Sequence, residues 1–104
     1  MRAPKALSLT GLAEKAGKVK SGEFAAEKSI KTGRAFLVIA AGDASDNTRK
    51  KFSNSCTYYH IPFRVYSDKE NLGHAIGKQD RAVLAVEDPG LAKAILAELD
   101  REGS

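Results

Sequence analysis

Residues 35–41 read Ala-Phe-Leu-Val-Ile-Ala-Ala, an uninterrupted apolar run near the middle of the chain. A strand that is apolar on both sides is covered on both faces, so helices must lie on each side of its sheet. Residues 82–86, Ala-Val-Leu-Ala-Val, repeat the pattern. Neither run approaches the roughly 20 apolar residues that a membrane-spanning helix needs. The two runs therefore predict buried strands in a sheet that lies between two layers of helices.

Helical and extended patterns alternate on either side of these strands. Periodic apolar residues, glycines and capping residues predict five helices and two further, shorter strands. In chain order the predicted elements are helix 4–16, strand 18–20, helix 21–32, strand 35–40, a helix from 45 onward, strand 63–66, helix 67–77, strand 82–86 and a helix capped by Asp88. This alternation predicts an α/β fold, a three-layer α/β/α sandwich with a largely parallel or mixed sheet.

Some predicted helix boundaries and faces depend on single side chains. Ser21 is expected to cap the second helix, and Ser67 to open a capping box at the fourth. Phe52, Cys56 and Tyr59 follow each other at i, i+4 and i+7, which predicts the buried stripe of the third helix.

Composition and charge are those of a single basic domain. The chain has 104 residues, of which 42% are hydrophobic, and a net charge of +4. Residues 1–51 hold 11 basic and 5 acidic side chains, a balance of +6, whereas residues 52–104 hold 6 and 8, a balance of −2. A basic half on a small domain indicates an anionic partner, with nucleic acid the first candidate. A solvated surface with a chance asymmetry is the alternative.

Residues that could support catalysis are few. Cys56 is the one cysteine, which excludes a disulfide framework and a cysteine-rich zinc site and fits a reducing cytoplasm. Cys56 and His60 are four residues apart on a helix and could form a nucleophile pair. Because Cys56 lies on the apolar stripe, a buried structural cysteine is the better interpretation. We therefore assign no catalytic residue, no metal site and no cofactor.

Basic side chains cluster around the second helix. Lys28 and Lys31 share one face of it, Arg34 lies one turn beyond, and Lys20 leads into the same element. Each of these cations could neutralise a phosphate group. Gly73 lies inside the fourth predicted helix, where glycine costs about 1 kcal/mol relative to alanine. Either a ligand or a packed segment of the chain must approach its backbone closely.

Together these segments resemble the ribosomal protein L7Ae family of kink-turn RNA-binding proteins, and among them the bacterial, ribosome-associated members. The resemblance covers about residues 7–99. It is carried by residues 11–18, 21–23, 37–40, 43–45, 47–51, 56–59, 61–62 and 72–78. It implies a three-layer α/β/α sandwich with a mixed four-stranded sheet, forming a single RNA-binding domain over residues 1–102. The final Gly103-Ser104 is expected to be a cloning scar.

The resemblance also implies a binding site. In this family the second helix enters the RNA at its N-terminal end, where a Gly-x-Asn-Glu-x-x-Lys pattern reads sheared G·A pairs. The matching residues 22–28 keep the glycine and the lysine, but Phe24 and Ala25 stand where Asn and Glu are expected. Residues 72–75 match a family segment that packs against flipped-out nucleotides. Together with the cations around the second helix, the expected RNA-binding residues are Lys20, Ser21, Gly22, Glu23, Lys28, Lys31, Arg34, Leu72, Gly73, His74 and Ala75.

Phe24 changes what the site can recognise. Without the two base-reading side chains, binding depends on backbone approach and on phosphate contacts, which recognise a structured RNA mainly by shape. An aromatic residue so near a helix start is usually packed, so Phe24 is expected in the core. An exposed ring could instead stack on a base.

The resemblance implies a non-catalytic bacterial protein of the cytoplasm that binds structured RNA, either kink-turn-like or ribosomal. Neither a membrane nor a metal is expected as a partner, and a fusion to another RNA-associated domain is a further expectation. Two alternatives stay open. One is a protein-interaction module that has lost kink-turn recognition, and the other is a small enzyme that uses Cys56 or the glycine segment 17–22.

Overall fold

The computed structural model describes residues 4–102, and within that range it contains five helices and four strands. Their order confirms the predicted alternation. The bounds are α1 (Lys5–Lys15), β1 (Val19–Ser21), α2 (Glu23–Lys31), β2 (Leu37–Ala40), α3 (Asp46–Tyr59), β3 (Phe63–Val65), α4 (Lys69–Ala75), β4 (Val83–Val86) and α5 (Pro89–Glu102).

The four strands form one mixed sheet in the order β1-β4-β2-β3. β4 runs antiparallel to both of its neighbours, β1 and β2, whereas β3 lies parallel to β2 at the far edge. The two apolar runs of the sequence thus form the adjacent central strands, and both are buried along their whole length. This confirms the predicted mixed four-stranded sheet.

Helices cover both faces of the sheet, so the fold is the predicted three-layer sandwich. Leu37 and Ile39 of β2 point into a core shared with α1, α4 and α5. Val38 and Ala40 of the same strand point into the opposite core, which α2 and α3 complete. Alternate residues of a strand face opposite sides of the sheet, which is why a fully apolar run is needed here. Phe52 of α3 is the largest fully buried side chain of the described residues.

The start of α2 differs from the prediction that Ser21 caps it. Ser21 belongs to β1, where its backbone is paired with Leu84 of β4, and its hydroxyl oxygen accepts a hydrogen bond from Arg81 Nε at 3.2 Å. Gly22 takes the capping position with a φ of +92° and no side-chain cap. Only glycine adopts such a φ without strain, so the sharp change from strand to helix depends on it.

Two further side-chain predictions are wrong. Ser67 has a φ of +58°, and Asp68 is the residue that caps α4, its carboxylate accepting a hydrogen bond from Asn71 N at 2.7 Å. Tyr59 is 40% exposed instead of buried. It is the last residue of α3, and its ring makes an edge-to-face contact with Tyr58 at 4.9 Å between centroids.

Gly73 is required for a close approach within the chain itself. A Cβ atom at this position would lie 1.9 Å from the carbonyl oxygen of Gln79 and 2.6 Å from its carbonyl carbon. The backbone of the loop after α4 therefore packs directly on the helix, and Lys78 N donates a hydrogen bond to Gly73 O at 2.9 Å. Of the two explanations for a glycine in this helix, the structure supports packing.

We predict that Gly73→Ala destabilises the protein by about 2–3 kcal/mol, because the new methyl group would overpack a contact with backbone atoms that cannot move aside. This exceeds the gain of about 1 kcal/mol in helix propensity. Gly90→Ala is the matched control, since its Cβ would meet nothing nearer than a carboxylate oxygen of Asp88 at 3.4 Å. Urea denaturation checks both variants. A Gly73→Ala protein as stable as wild type would contradict the packing argument.

Candidate nucleic-acid interface

The start of α2 meets the loop of residues 76–82 at the edge of the sheet. Gly22 N donates to Val83 O at 2.9 Å, which extends the pairing of β1 with β4 by one residue. Arg81 Nε donates to the Ser21 hydroxyl, and Arg81 N donates to Lys69 O at 3.0 Å. The N-terminal end of α2 is therefore flanked by a loop whose position is fixed at both of its ends.

This loop adds residues that the sequence did not assign to the site. Arg81 stands beside Ser21, 60 positions away in the chain, and Lys78 follows the packed Gly73. No periodic pattern links residues 20–22 to residues 78–81. Only the antiparallel pairing of β1 with β4 brings them together, and β1 is too short to reveal its partner in the sequence.

Glu23 connects α2 with the helix beside it. Its carboxylate accepts a hydrogen bond from the Thr48 hydroxyl at 3.2 Å, and the Ser45 hydroxyl donates to Thr48 at 2.9 Å while capping α3. The N-terminal ends of α2 and α3 are therefore held together by a short chain of polar side chains. Glu23 is exposed and stands at the rim of the surface around Gly22.

The predicted site residues of α4 lie on the other helical layer. Leu72 is fully buried in the core that α1 and α5 share with α4, and Gly73 is buried under the loop. Neither offers a side chain to a ligand, so their role is to support the loop. His74 is exposed, and with Ala75 it lines a groove of about 550 Å³ between α1 and α4. The structure therefore divides the predicted site between two faces, which meet at the loop of residues 76–82.

The cations around α2 differ in whether they have an acidic partner. Lys31 pairs with Glu27 at 2.8 Å, as the i, i+4 spacing indicates, and Lys51 of α3 pairs with the same carboxylate at 2.8 Å. Lys20, Lys28 and Arg34 make no ion pair with any residue of the range 4–102. Their charges are thus available to an anionic ligand, whereas that of Lys31 is largely neutralised.

The unpaired cations line one groove, which we call the α2 groove. It has a volume of about 390 Å³ and is bounded by Lys20, Phe24, Ala25, Lys28, Ser29, Thr32, Arg34 and Glu87. Phe24 is 84% exposed, so the prediction that it packs in the core is wrong. Position 24 lies in the first turn of α2, whereas Ala26 and Ile30 are the residues that this helix turns toward the sheet.

Cys56 is a structural residue. Its side chain is 1% exposed in the core between α2, α3 and the sheet, and this burial raises the pKa of the thiol to about 11. A thiol in that state is not an activated nucleophile. Within residues 4–102, no three His, Cys, Asp or Glu side chains are placed to share a metal ion. Over the same residues, no helix combines the length and the apolar character needed to cross a membrane.

Residues 5–96 match the ribosomal protein L7Ae/L30e/S12e/Gadd45 family, and the chain belongs to it. RNA-binding protein YlxQ of Bacillus subtilis (strain 168) is 45% identical over 92 residues, which cover 88% of this chain and 92% of that protein. RNA-binding protein YlxQ of Enterococcus faecium is 41% identical over 90 residues, 86% of this chain and 85% of that protein.

Solved structures show the same architecture. A protein of unknown function from Bacillus halodurans C superposes with a TM-score of 0.92 at 39% identity, covering 94% of this chain and 99% of that one. The 15.5 kD RNA binding protein of Giardia lamblia superposes with a TM-score of 0.79 at 21% identity, covering 97% and 92%. The second likeness concerns the fold alone.

The carboxyl group of Glu27 provides a test of the charge distribution around α2. Hydrogen bonds from the ammonium groups of Lys31 and Lys51 lower its pKa from the ordinary 4.5 to about 2. A lowered pKa means that ionised Glu27 stabilises the fold above pH 4.5 and that this contribution is lost as the pH falls toward 2. We predict a midpoint near 2 in an NMR titration of the Glu27 carboxyl carbon. Lys51→Met should raise this midpoint because one donor is removed, and a wild-type midpoint near 4.5 would show that Lys31 is not neutralised.

Proposed function

We propose that this chain is a non-catalytic protein that binds structured RNA through the start of α2, the cations beside it and the loop of residues 76–82. The observation that carries the proposal is the set of unpaired cations Lys20, Lys28 and Arg34 along one side of α2. A cation without an acidic partner can neutralise a phosphate without first giving up an ion pair, so its contact adds more to the binding free energy. Membership in a ribosomal protein family and the names of the YlxQ relatives support RNA as the partner.

Shape is the property of the RNA that this surface is suited to recognise. Phosphate contacts fix position and orientation without reading the sequence. Gly22 has no side chain, and apart from its chain neighbours no atom lies within 4 Å of a Cβ placed there, so an RNA backbone can come close to the start of α2. We infer a kink-turn-like or ribosomal RNA as the ligand, bound by the single domain of residues 1–102 in the cytoplasm. Gly22, Glu23, His74 and Ala75 complete the proposed contact surface.

We predict that Lys28→Ala lowers the affinity for a kink-turn RNA severalfold and reduces the slope of log K against log salt by about 1, because one phosphate contact is lost. Lys31→Ala should have a smaller effect, since Glu27 already pairs with Lys31. Lys93→Ala is the matched control, an exposed lysine of α5 in the layer across the sheet. Fluorescence anisotropy at two or more salt concentrations measures all three variants.

An equal loss of affinity in Lys28→Ala and Lys93→Ala would mean that binding is a diffuse effect of net charge. Absence of RNA binding by the wild-type protein at about 50 mM salt would contradict the proposal, since non-specific binding alone is strong at low ionic strength. That result would favour the protein-interaction module. Retained affinity in Lys28→Ala, with an unchanged salt slope, would place the RNA on another surface.

A further inference from the structure

The α2 groove contains a carboxylate among its cations. Ser29 of α2 is buried, and its hydroxyl donates a hydrogen bond to Glu87 Oε2 at 2.6 Å. Glu87 follows β4, and its backbone N–H donates to Lys18 O at 2.7 Å, which fixes the residue beside β1. Among the residues that the structure describes, the Glu87 carboxylate has no partner other than Ser29. Its acceptor capacity is therefore only partly used.

The cations and the carboxylate of the groove are separate from each other. Lys20, Lys28 and Arg34 all line the groove with Glu87, yet none of them comes within ion-pair distance of it. A phosphate group would be attracted to the three cations and repelled by Glu87. A ligand that satisfies the whole groove must therefore carry negative charge at its rim and hydrogen-bond donors where it meets the carboxylate.

Phe24 adds an aromatic surface to the same groove. Phe24 is 84% exposed and lines the groove from the first turn of α2. Burying an aromatic side chain normally stabilises a fold, so an isolated exposed ring next to cations is a candidate contact for a ligand. Aromatic rings in basic grooves stack on nucleobases, and every base has a face that can stack. The volume of about 390 Å³ lies within the range of about 300–1,000 Å³ found for small-ligand sites.

We propose that the α2 groove binds one unpaired nucleotide of the RNA, with a preference for guanine. The base stacks on Phe24 and donates hydrogen bonds to Glu87, while the flanking phosphates contact Lys20, Lys28 and Arg34. Ionised carboxylates only accept hydrogen bonds, and guanine presents two adjacent donors, N1–H and the N2 amino group, on its Watson–Crick edge. Uracil offers a single N3–H donor between two carbonyl acceptors. This inference rests on the proposed function, since the nucleotide belongs to the bound RNA.

Two variants separate stacking from readout. Glu87→Gln has the same shape and keeps an oxygen that can accept from Ser29, so it should fold while placing a donor amide against guanine. Phe24→Ala removes an exposed ring and should also fold. Tyr58→Ala is the control for loss of an exposed aromatic residue, because Tyr58 is 76% exposed near the C-terminal end of α3. Circular dichroism melting confirms that each variant is folded before binding is measured.

The experiment measures the binding of two RNA hairpins that are identical except for one bulged nucleotide, G or U, by fluorescence anisotropy. Wild type should bind the bulged-G hairpin about tenfold more tightly. Glu87→Gln should bind both hairpins with equal affinity. Phe24→Ala should lose about tenfold in affinity for both and keep the preference. Tyr58→Ala should behave as wild type. NMR titration with 5′-GMP should shift the amide signals of Ala25, Ser29 and Thr32 more than 5′-UMP does.

Failure of this inference and failure of RNA binding give different results. If wild type binds both hairpins with equal affinity, and 5′-GMP and 5′-UMP give the same shifts, the guanine pocket is overturned while the proposed function stands. A preference for guanine that persists in Glu87→Gln also overturns it. Absence of binding to either hairpin at about 50 mM salt overturns the proposed function and the pocket together.

Discussion

The antiparallel pairing of β4 with the short edge strand β1 brings together the start of α2, the loop of residues 76–82 and Glu87. One end of this pairing is the hydrogen bond from Gly22 N to Val83 O, which places the start of α2 beside the loop of residues 76–82. The other end is the hydrogen bond from Glu87 N to Lys18 O, which places Glu87 beside α2. Between them, Lys20 is turned toward the α2 groove. A three-residue strand thus positions both the proposed RNA surface and the nucleotide pocket.

Ion pairing within the α2–α3 layer determines which cations in the basic half of the chain are neutralised and which are free. Glu27 binds both Lys31 and Lys51, and this pairing lowers the pKa of the carboxyl group. Lys31 and Lys51 share the Glu27 carboxylate, whereas the unpaired cations Lys20, Lys28 and Arg34 line the α2 groove. The free positive charge around α2 is therefore gathered at the α2 groove. Net charge alone could not show this, because it counts paired and unpaired lysines equally.

The sequence predicted the layers of the fold because its strongest signals are local. The apolar run of residues 35–41 required cover on both faces, and Asp88 caps α5 as expected, its carboxylate accepting from Leu91 N at 2.8 Å. The sequence does not distinguish the two roles of Ser21, because the same residue type suits a cap and a strand end and β1 is too short to show a period. The exposure of Phe24 and the position of Glu87 could not be predicted, since both depend on how α2 lies against a strand pair that joins distant segments.

Mapping of the RNA contact by NMR separates a defined surface at the start of α2 from a diffuse basic face. The labelled protein is titrated with a kink-turn RNA and with an unrelated hairpin at two salt concentrations. We expect the kink-turn RNA to shift amide signals of residues 20–31 and 76–82 and these shifts to persist at the higher salt concentration, whereas those caused by the hairpin weaken. Shifts confined to α5 or β3, or no shifts with either RNA, would contradict it.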